Sequence, residues 1–259
     1  MKKVIRCICI MALVALAFTS CKKDQKNPSF VASVQKLAYI NDDKTIIDNS
    51  SISFEVGDTI TVYNLNSDPE LSQYAHFVTV ESGNTVRFEK VGDEPFDVNM
   101  MDGGFRAFYP GGSGVNGLYT NQVYRPNQIP RNALPMAAIE HEATNINDVH
   151  FNFQCIFGVW SLRLYERAQR TLTTIEVVDS APSAPTISLT IPDGVRLGNT
   201  AETATQFYIT LRPMALYQGC HIILVFDNGA VKDIDLSQHD LTMRPGYVRT
   251  TRIDLDNFN

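Results

Sequence analysis

Val149-His150-Phe151-Asn152-Phe153-Gln154-Cys155-Ile156-Phe157-Gly158-Val159 carries an apolar side chain at every odd position. Successive side chains of an extended strand point to opposite faces, so this parity turns Val149, Phe151, Phe153, Cys155, Phe157 and Val159 the same way. A helix would scatter the same side chains around its surface. The stretch therefore predicts a long strand with one buried face. The pattern recurs on both sides of it. Downstream come Leu172 to Val178, Thr186 to Ile191 and Gln206 to Leu211. Ile222 to Phe226 and Ala230 to Ile234 flank Asp227-Asn228-Gly229, a tight-hairpin signal, because Asn-Gly accepts positive φ. Tyr247 to Leu255 closes the series. Upstream, Thr59 to Tyr63 alternates, and Phe77 to Val80 and Thr85 to Glu89 flank the turn Ser82-Gly83-Asn84. Gly104 to Tyr109 is another strand, stopped by Pro110-Gly111-Gly112, and residues 30–40 read as an early strand with Phe30, Val31, Val34, Leu37 and Ile40.

No window shows a sustained helical stripe. Many short strands at regular spacing predict an all-β chain of antiparallel β-sandwiches. Their number exceeds one small sandwich, so the chain divides near residue 145, inside the polar stretch Glu142-Ala143-Thr144-Asn145-Ile146-Asn147-Asp148. The expected units are 30–145 and 146–259. Ser180-Ala181-Pro182-Ser183-Ala184-Pro185 reads as a loop inside the second unit.

The first residues belong to neither unit. Lys2, Lys3 and Arg6 form a positive start, and Cys7 to Phe18 follow without a charge. That run is shorter than the ~20 residues needed to span a bilayer. A charged start, a short apolar run and small residues after it describe a secretory signal peptide, residues 1–20. Phe18-Thr19-Ser20-Cys21 resembles a bacterial lipobox, in which Cys21 receives the lipid. Phe18 stands where the usual pattern has Leu, which fits the looser Bacteroidetes form. The competing reading cuts after Ala15-Leu16-Ala17 and releases a soluble protein. Residues 21–29 are polar and read as a tether. Losing the leader's three basic side chains would take the net charge from −6 to −9. An acidic chain without a basic face is not built for nucleic acid.

Chemistry-bearing residues do not assemble in the sequence. Of five cysteines, Cys7 and Cys9 leave with the signal and Cys21 is the lipid site. Cys155 and Cys220 sit in apolar runs and read as buried thiols, with a disulfide as the alternative in an oxidising compartment. No histidine has a second ligand at zinc spacing; His141-Glu142-Ala143-Thr144-Asn145 ends in Asn where H-E-x-x-H needs His. Gly112-Ser113-Gly114-Val115-Asn116-Gly117 matches a dinucleotide fingerprint, yet no helix follows to hold a pyrophosphate. Trp160 lies in a core pattern, and Arg163, Arg167 and Arg170 surround a hairpin turn as exposed charges. The expectation is no catalytic residue, no metal and no cofactor.

Four segments, in order, resemble the fimbrillin-like family of Bacteroidetes, the subunits of type V pili. Phe54-Glu55-Val56-Gly57-Asp58-Thr59-Ile60-Thr61-Val62-Tyr63 is similar to the family's G-D-x-I-x-V opening. Phe105-Arg106-Ala107-Phe108-Tyr109-Pro110 is similar to its aromatic strand end, and Val149 to Leu164 to the strand that begins its second half. Leu241 to Tyr247 is similar to its closing Pro-Gly-Tyr element. The resemblance implies two tandem transthyretin-like β-sandwiches and a surface lipoprotein of the outer membrane. It implies a fimbrial structural or adhesion subunit that joins other subunits by strand addition, after a protease removes its first strand. The family's cut follows an early Arg. Here no Arg lies between Cys21 and Arg87, so Lys44 is the candidate processing site. The alternative is a non-polymerising surface lipoprotein that takes a host or glycan ligand through its loops.

Overall fold

The structure is a computed structural model that describes residues 28–40, 52–99, 102–111, 120–130, 133–142, 149–181 and 184–258. The signal peptide, Cys21, Lys44, most of the Gly-rich loop and the division point at 145 lie outside the described residues. Among the described residues sixteen strands run in chain order: β1 Ser29–Val34, β2 Ala38–Ile40, β3 Thr59–Asn64, β4 Gln73–Thr79, β5 Thr85–Val91, β6 Phe105–Tyr109, β7 Asn121–Val123 and β8 Met136–Glu140. Then come β9 His150–Cys155, β10 Gly158–Tyr165, β11 Thr171–Asp179, β12 Ile187–Arg196, β13 Thr205–Leu211, β14 Cys220–Phe226, β15 Val231–Asp235 and β16 Tyr247–Asp254. The all-β reading holds; among the described residues the only helical pieces are short 3-10 turns.

Three sheets organise these strands. The first closes on itself as a barrel in the order β1-β5-β4-β3-β6-β8-β9. The second runs β13-β10-β16-β2 and the third β15-β14-β11-β12-β7. A sandwich was expected for the first half; instead its strands close. The cause is β1, which pairs antiparallel with β5 and parallel with β9 and so joins two edges. Alternation tells which side chains face inward, but both a sandwich and a barrel satisfy it.

Strand pairing crosses residue 145 in both directions. β9 follows that point yet belongs to the barrel, while β2 and β7 precede it and pair in parallel with β16 and β12. The long parity run beginning at Val149 breaks at Ile156–Phe157, where β9 ends and β10 enters another sheet. From there alternation gives way to continuous burial, Gly158 through Leu162. The sheet containing β10 is covered on both faces, which removes the need for a polar side. Val159, Tyr208 and Val248 face the barrel core. Trp160, Phe207 and Ile253 face the core enclosed with the third sheet. The indole of Trp160 is fully buried and donates to Thr251 Oγ1 at 2.8 Å.

Two local features escape an alternation reading. Gln122 of β7 is almost fully buried, and its amide bridges to the edge of β13. Its Nε2 donates to the Thr210 carbonyl at 2.7 Å and its Oε1 accepts from the Thr210 amide at 3.0 Å. One side chain thus imitates a neighbouring strand and blunts an open edge. At the β10–β11 turn, Arg170 is not the exposed charge expected. It chelates buried Glu166 through Nε, at 3.1 and 2.9 Å, and through Nη2. Its guanidinium carbon stands 3.7 Å over the Phe226 ring. Arg167, by contrast, is exposed.

Candidate functional site

The sequence of β1 is Ser29-Phe30-Val31-Ala32-Ser33-Val34. Its even positions turn inward: Phe30 and Ala32 are buried, and Val34 packs at the core margin. On one side Phe30 stands opposite Phe88 and Ala32 opposite Val86 of β5. On the other, Ala32 is level with Phe151 and Val34 with Phe153 of β9. Phe30 is the centre of an aromatic cluster. Its ring lies 4.9 Å from Phe77, 5.2 Å from Phe151 and 5.5 Å from Phe105, all tilted or edge-on. Those geometries suit the ring quadrupole, and burying one such side chain contributes about 1.5–3 kcal/mol.

The ladder continues at both ends of β1. Lys90 N donates to the Pro28 carbonyl at 3.1 Å, Val34 N to the Asn84 carbonyl at 3.1 Å and Gln35 N to the Phe153 carbonyl at 2.8 Å. Outward-facing side chains add Arg87 to Ser29 Oγ and His150 to Ser33 Oγ, both at 3.1 Å. Beyond buried Leu37 the chain enters β2 on the edge of the second sheet. Residues 28–40 therefore cover an aromatic-lined slot between β5 and β9 and also extend β16. Lifting that segment out would leave unpaired backbone on three strands and uncover Phe77, Phe88 and Phe151.

The motif segments read from the sequence meet in pairs. Asp58 and Tyr109, the marks of the first two, touch: the Tyr109 hydroxyl donates to Asp58 Oδ1 at 3.2 Å. Asp58 Oδ2 accepts from Glu55 N at 2.8 Å across a turn in which Gly57 holds φ +88°. Burial pushes the Asp58 carboxyl up to about 6, against the Tyr109 hydrogen bond, which pulls it down. The last two also meet. Gly246, at φ +72°, donates its amide to the Phe157 carbonyl at 3.0 Å, and Gly158 lies so close that a Cβ there would stand 2.8 Å from the Arg244 carbonyl oxygen.

Other candidate chemistry stays dispersed. Cys155 and Cys220 are free, buried thiols, one in each core cluster, and burial pushes both up to about 12. Among the described residues no three metal-ligating side chains converge. Gln122 and the Glu166–Arg170 pair were missed by sequence reasoning; a buried amide or carboxylate leaves no periodic signal.

No family model matches the sequence, and no curated protein matches it. Solved structures do match in fold. A Bacteroides uniformis protein assigned to cell adhesion shares 15% identity at a TM-score of 0.51, over 90% of this chain and 94% of that one. One from Bacteroides ovatus shares 13% identity at 0.52, over 90% and 93%. A third, from Bacteroides fragilis, shares 10% identity at 0.50, over 89% and 93%. The likeness is therefore one of fold, and it runs along nearly the whole chain.

Proposed function

We propose that this chain is a cell-surface subunit of a bacterial fimbria, with a structural or adhesive role, whose first strand is exchanged for a strand of a neighbouring subunit. The observation that carries the proposal is the position of β1 between two otherwise open edges, with Phe30 plugging an aromatic slot. An extended segment from another subunit could take the same two ladders, its main chain supplying affinity and its alternate side chains specificity. It would need a large apolar residue at the place of Phe30 and a small one two positions on, at Ala32. In this reading the chain is two tandem transthyretin-like units divided near residue 145, which trade strands across that point. Residues 1–20 are a signal peptide, Cys21 carries the lipid that holds the protein to the outer membrane, and 21–29 is the tether. Its partners are other fimbrial subunits.

Release of β1 requires a cut after β2 and before β3, most simply at Lys44. Arg87 cannot serve, because it lies within β5, paired to β1 itself. That gap in the processing signal favours a second reading, a lone surface lipoprotein that keeps β1 in place and binds a host or glycan ligand through its loops. Lysine-specific proteolysis of the mature protein, with mass spectrometry and sizing, separates the two. Loss of residues before Thr45 together with a ladder of oligomers supports the polymerising subunit. Clean cutting at Lys44 with only monomer rejects it. Replacing Cys21 with Ser should release the protein from membranes, and unchanged fractionation would refute the lipid anchor.

A further inference from the structure

The outer face of the barrel departs from the habit of antiparallel sheets. One face normally packs on the core and the other shows polar side chains to water. Across β4, β3, β6 and β8 the outward positions instead include Tyr74, Tyr63, Arg106 and Ile139 in one row. Tyr63 stands opposite Tyr74 on one side and Arg106 on the other, and Arg106 stands opposite Ile139. Phe108 and His76 flank the row. The Tyr63 ring lies 5.7 Å from that of Tyr74 at an interplanar angle of 35°, and 5.7 Å from that of Phe108 at 79°. Tyr74 and Ile139 are 53% and 51% exposed. The row contains no Lys, Asp or Glu, and the buried Nε of Arg106 has no hydrogen-bond partner.

Cross-strand aromatic pairs stabilise a sheet, and that alone would account for Tyr63, Tyr74 and Phe108. It does not account for a guanidinium placed between Tyr63 and Ile139 with its buried Nε left without a hydrogen-bond partner. The planar fork of a guanidinium matches a carboxylate, the partner this one lacks in the row. Size narrows the choice of ligand. Four strands ~4.8 Å apart make a row roughly 15 Å long and only one or two side chains deep. A stable protein partner would need about 800 Å² on each side, far more than this strip offers. A polyanion would need several cations, whereas the row has one and the chain is acidic overall. We propose that this face binds a short acidic carbohydrate. The C–H face of a sugar lies on the exposed ring of Tyr74, beside the tilted ring of Tyr63, and a sugar carboxylate pairs with Arg106. The proposal is independent of strand exchange, since all of these side chains lie away from β1.

The test is titration of the purified full chain with sialyllactose and trigalacturonate, with lactose and galactotriose as neutral counterparts, followed by calorimetry or NMR. An acidic sugar should bind at least about tenfold more tightly than its neutral counterpart. Arg106→Gln should abolish that preference, and Arg106→Lys should restore part of it. Tyr74→Ser should weaken acidic and neutral binding alike by about tenfold while leaving the melting temperature within a few degrees of the parent. The proposal is overturned if neither acidic sugar binds at roughly 10 mM. Equal binding of acidic and neutral sugars overturns it too, as does binding that survives both Arg106→Gln and Tyr74→Ser. Concentration-dependent self-association that Tyr74→Ser removes would assign the face to a second copy of the chain instead.

Discussion

Asp58 and Glu166 are both carboxylates bound to a structural partner, yet their linkage to pH has opposite sign. Asp58 titrates near 6 in the folded chain against an ordinary value of 3.8, so the native state holds its proton more tightly. Its contribution favours folding below about pH 4 and is lost as pH rises through 6. Asp58→Asn keeps an acceptor for Glu55 N and should flatten stability between pH 4 and 6, read as urea midpoints across that range. A steeper slope in the variant would contradict the assignment. Glu166 is held below its usual value, first by the hydrogen bond from Arg170. Its contribution is therefore present above the unfolded value of about 4.5 and is lost as pH falls through the lower folded value. Glu166→Gln leaves Arg170 over Phe226 without its counter-charge and should cost about 3 kcal/mol at neutral pH, measured by chemical denaturation. Neither role was visible from residue type. Asp58 was read as part of a motif and Arg170 as a surface charge, because a partner distant in sequence or hidden by a turn has no signature along the chain.

β1 is the element on which the proposed function turns, and its weak points can be named. Phe30→Ala removes the centre of four ring contacts and should destabilise the protein by about 3–5 kcal/mol. The more telling measurement is amide hydrogen exchange. Protection should fall first in β1 and along the facing edges of β5 and β9, while β11 and β14 keep theirs. Uniform loss in all sheets would mean that β1 is not a separable unit. Ala32→Leu should overpack the slot where Phe151 comes level and cost about 1–3 kcal/mol. Strand existence was largely legible in the sequence: the alternations at 59–63, 85–89, 105–109 and 150–155 each became a strand, and Ile60, Val62, Phe151 and Phe153 face inward as their parity requires. The single strand read over 30–40 is in fact two, since β1 ends at Val34 and β2 joins another sheet, and β8 went unread because its five residues carry too little pattern.

At the scale of the molecule, the middle sheet ties the two cores together. Val159 and Trp160 are adjacent in sequence and point into different clusters, and β13 and β16 do the same. A strand shared by two cores should couple their unfolding. Cys155 and Cys220 report on it, because each thiol is buried in a different cluster and shifted to about 12, far from its reactive form. Both should resist a thiol reagent at pH 8 and become labelled at one common urea midpoint; two separate midpoints would show cores that melt independently. Legible along the chain are the all-β class, the inward parity of 59–63 and 149–155, the burial of Trp160 and of both thiols, and the segments that resemble the fimbrillin-like family. These are properties of local pattern, fixed by the two-residue period of an extended chain and the cost of exposing apolar surface. Only the tertiary structure decided that β1 closes a barrel, that β9 joins the first-half strands, that β2 and β7 cross to the second-half sheets, and that Gln122 caps β13. Edges are matched through backbone hydrogen bonds between residues far apart in the chain, and every non-proline residue carries the same donor and acceptor, so side-chain pattern does not say which edge meets which.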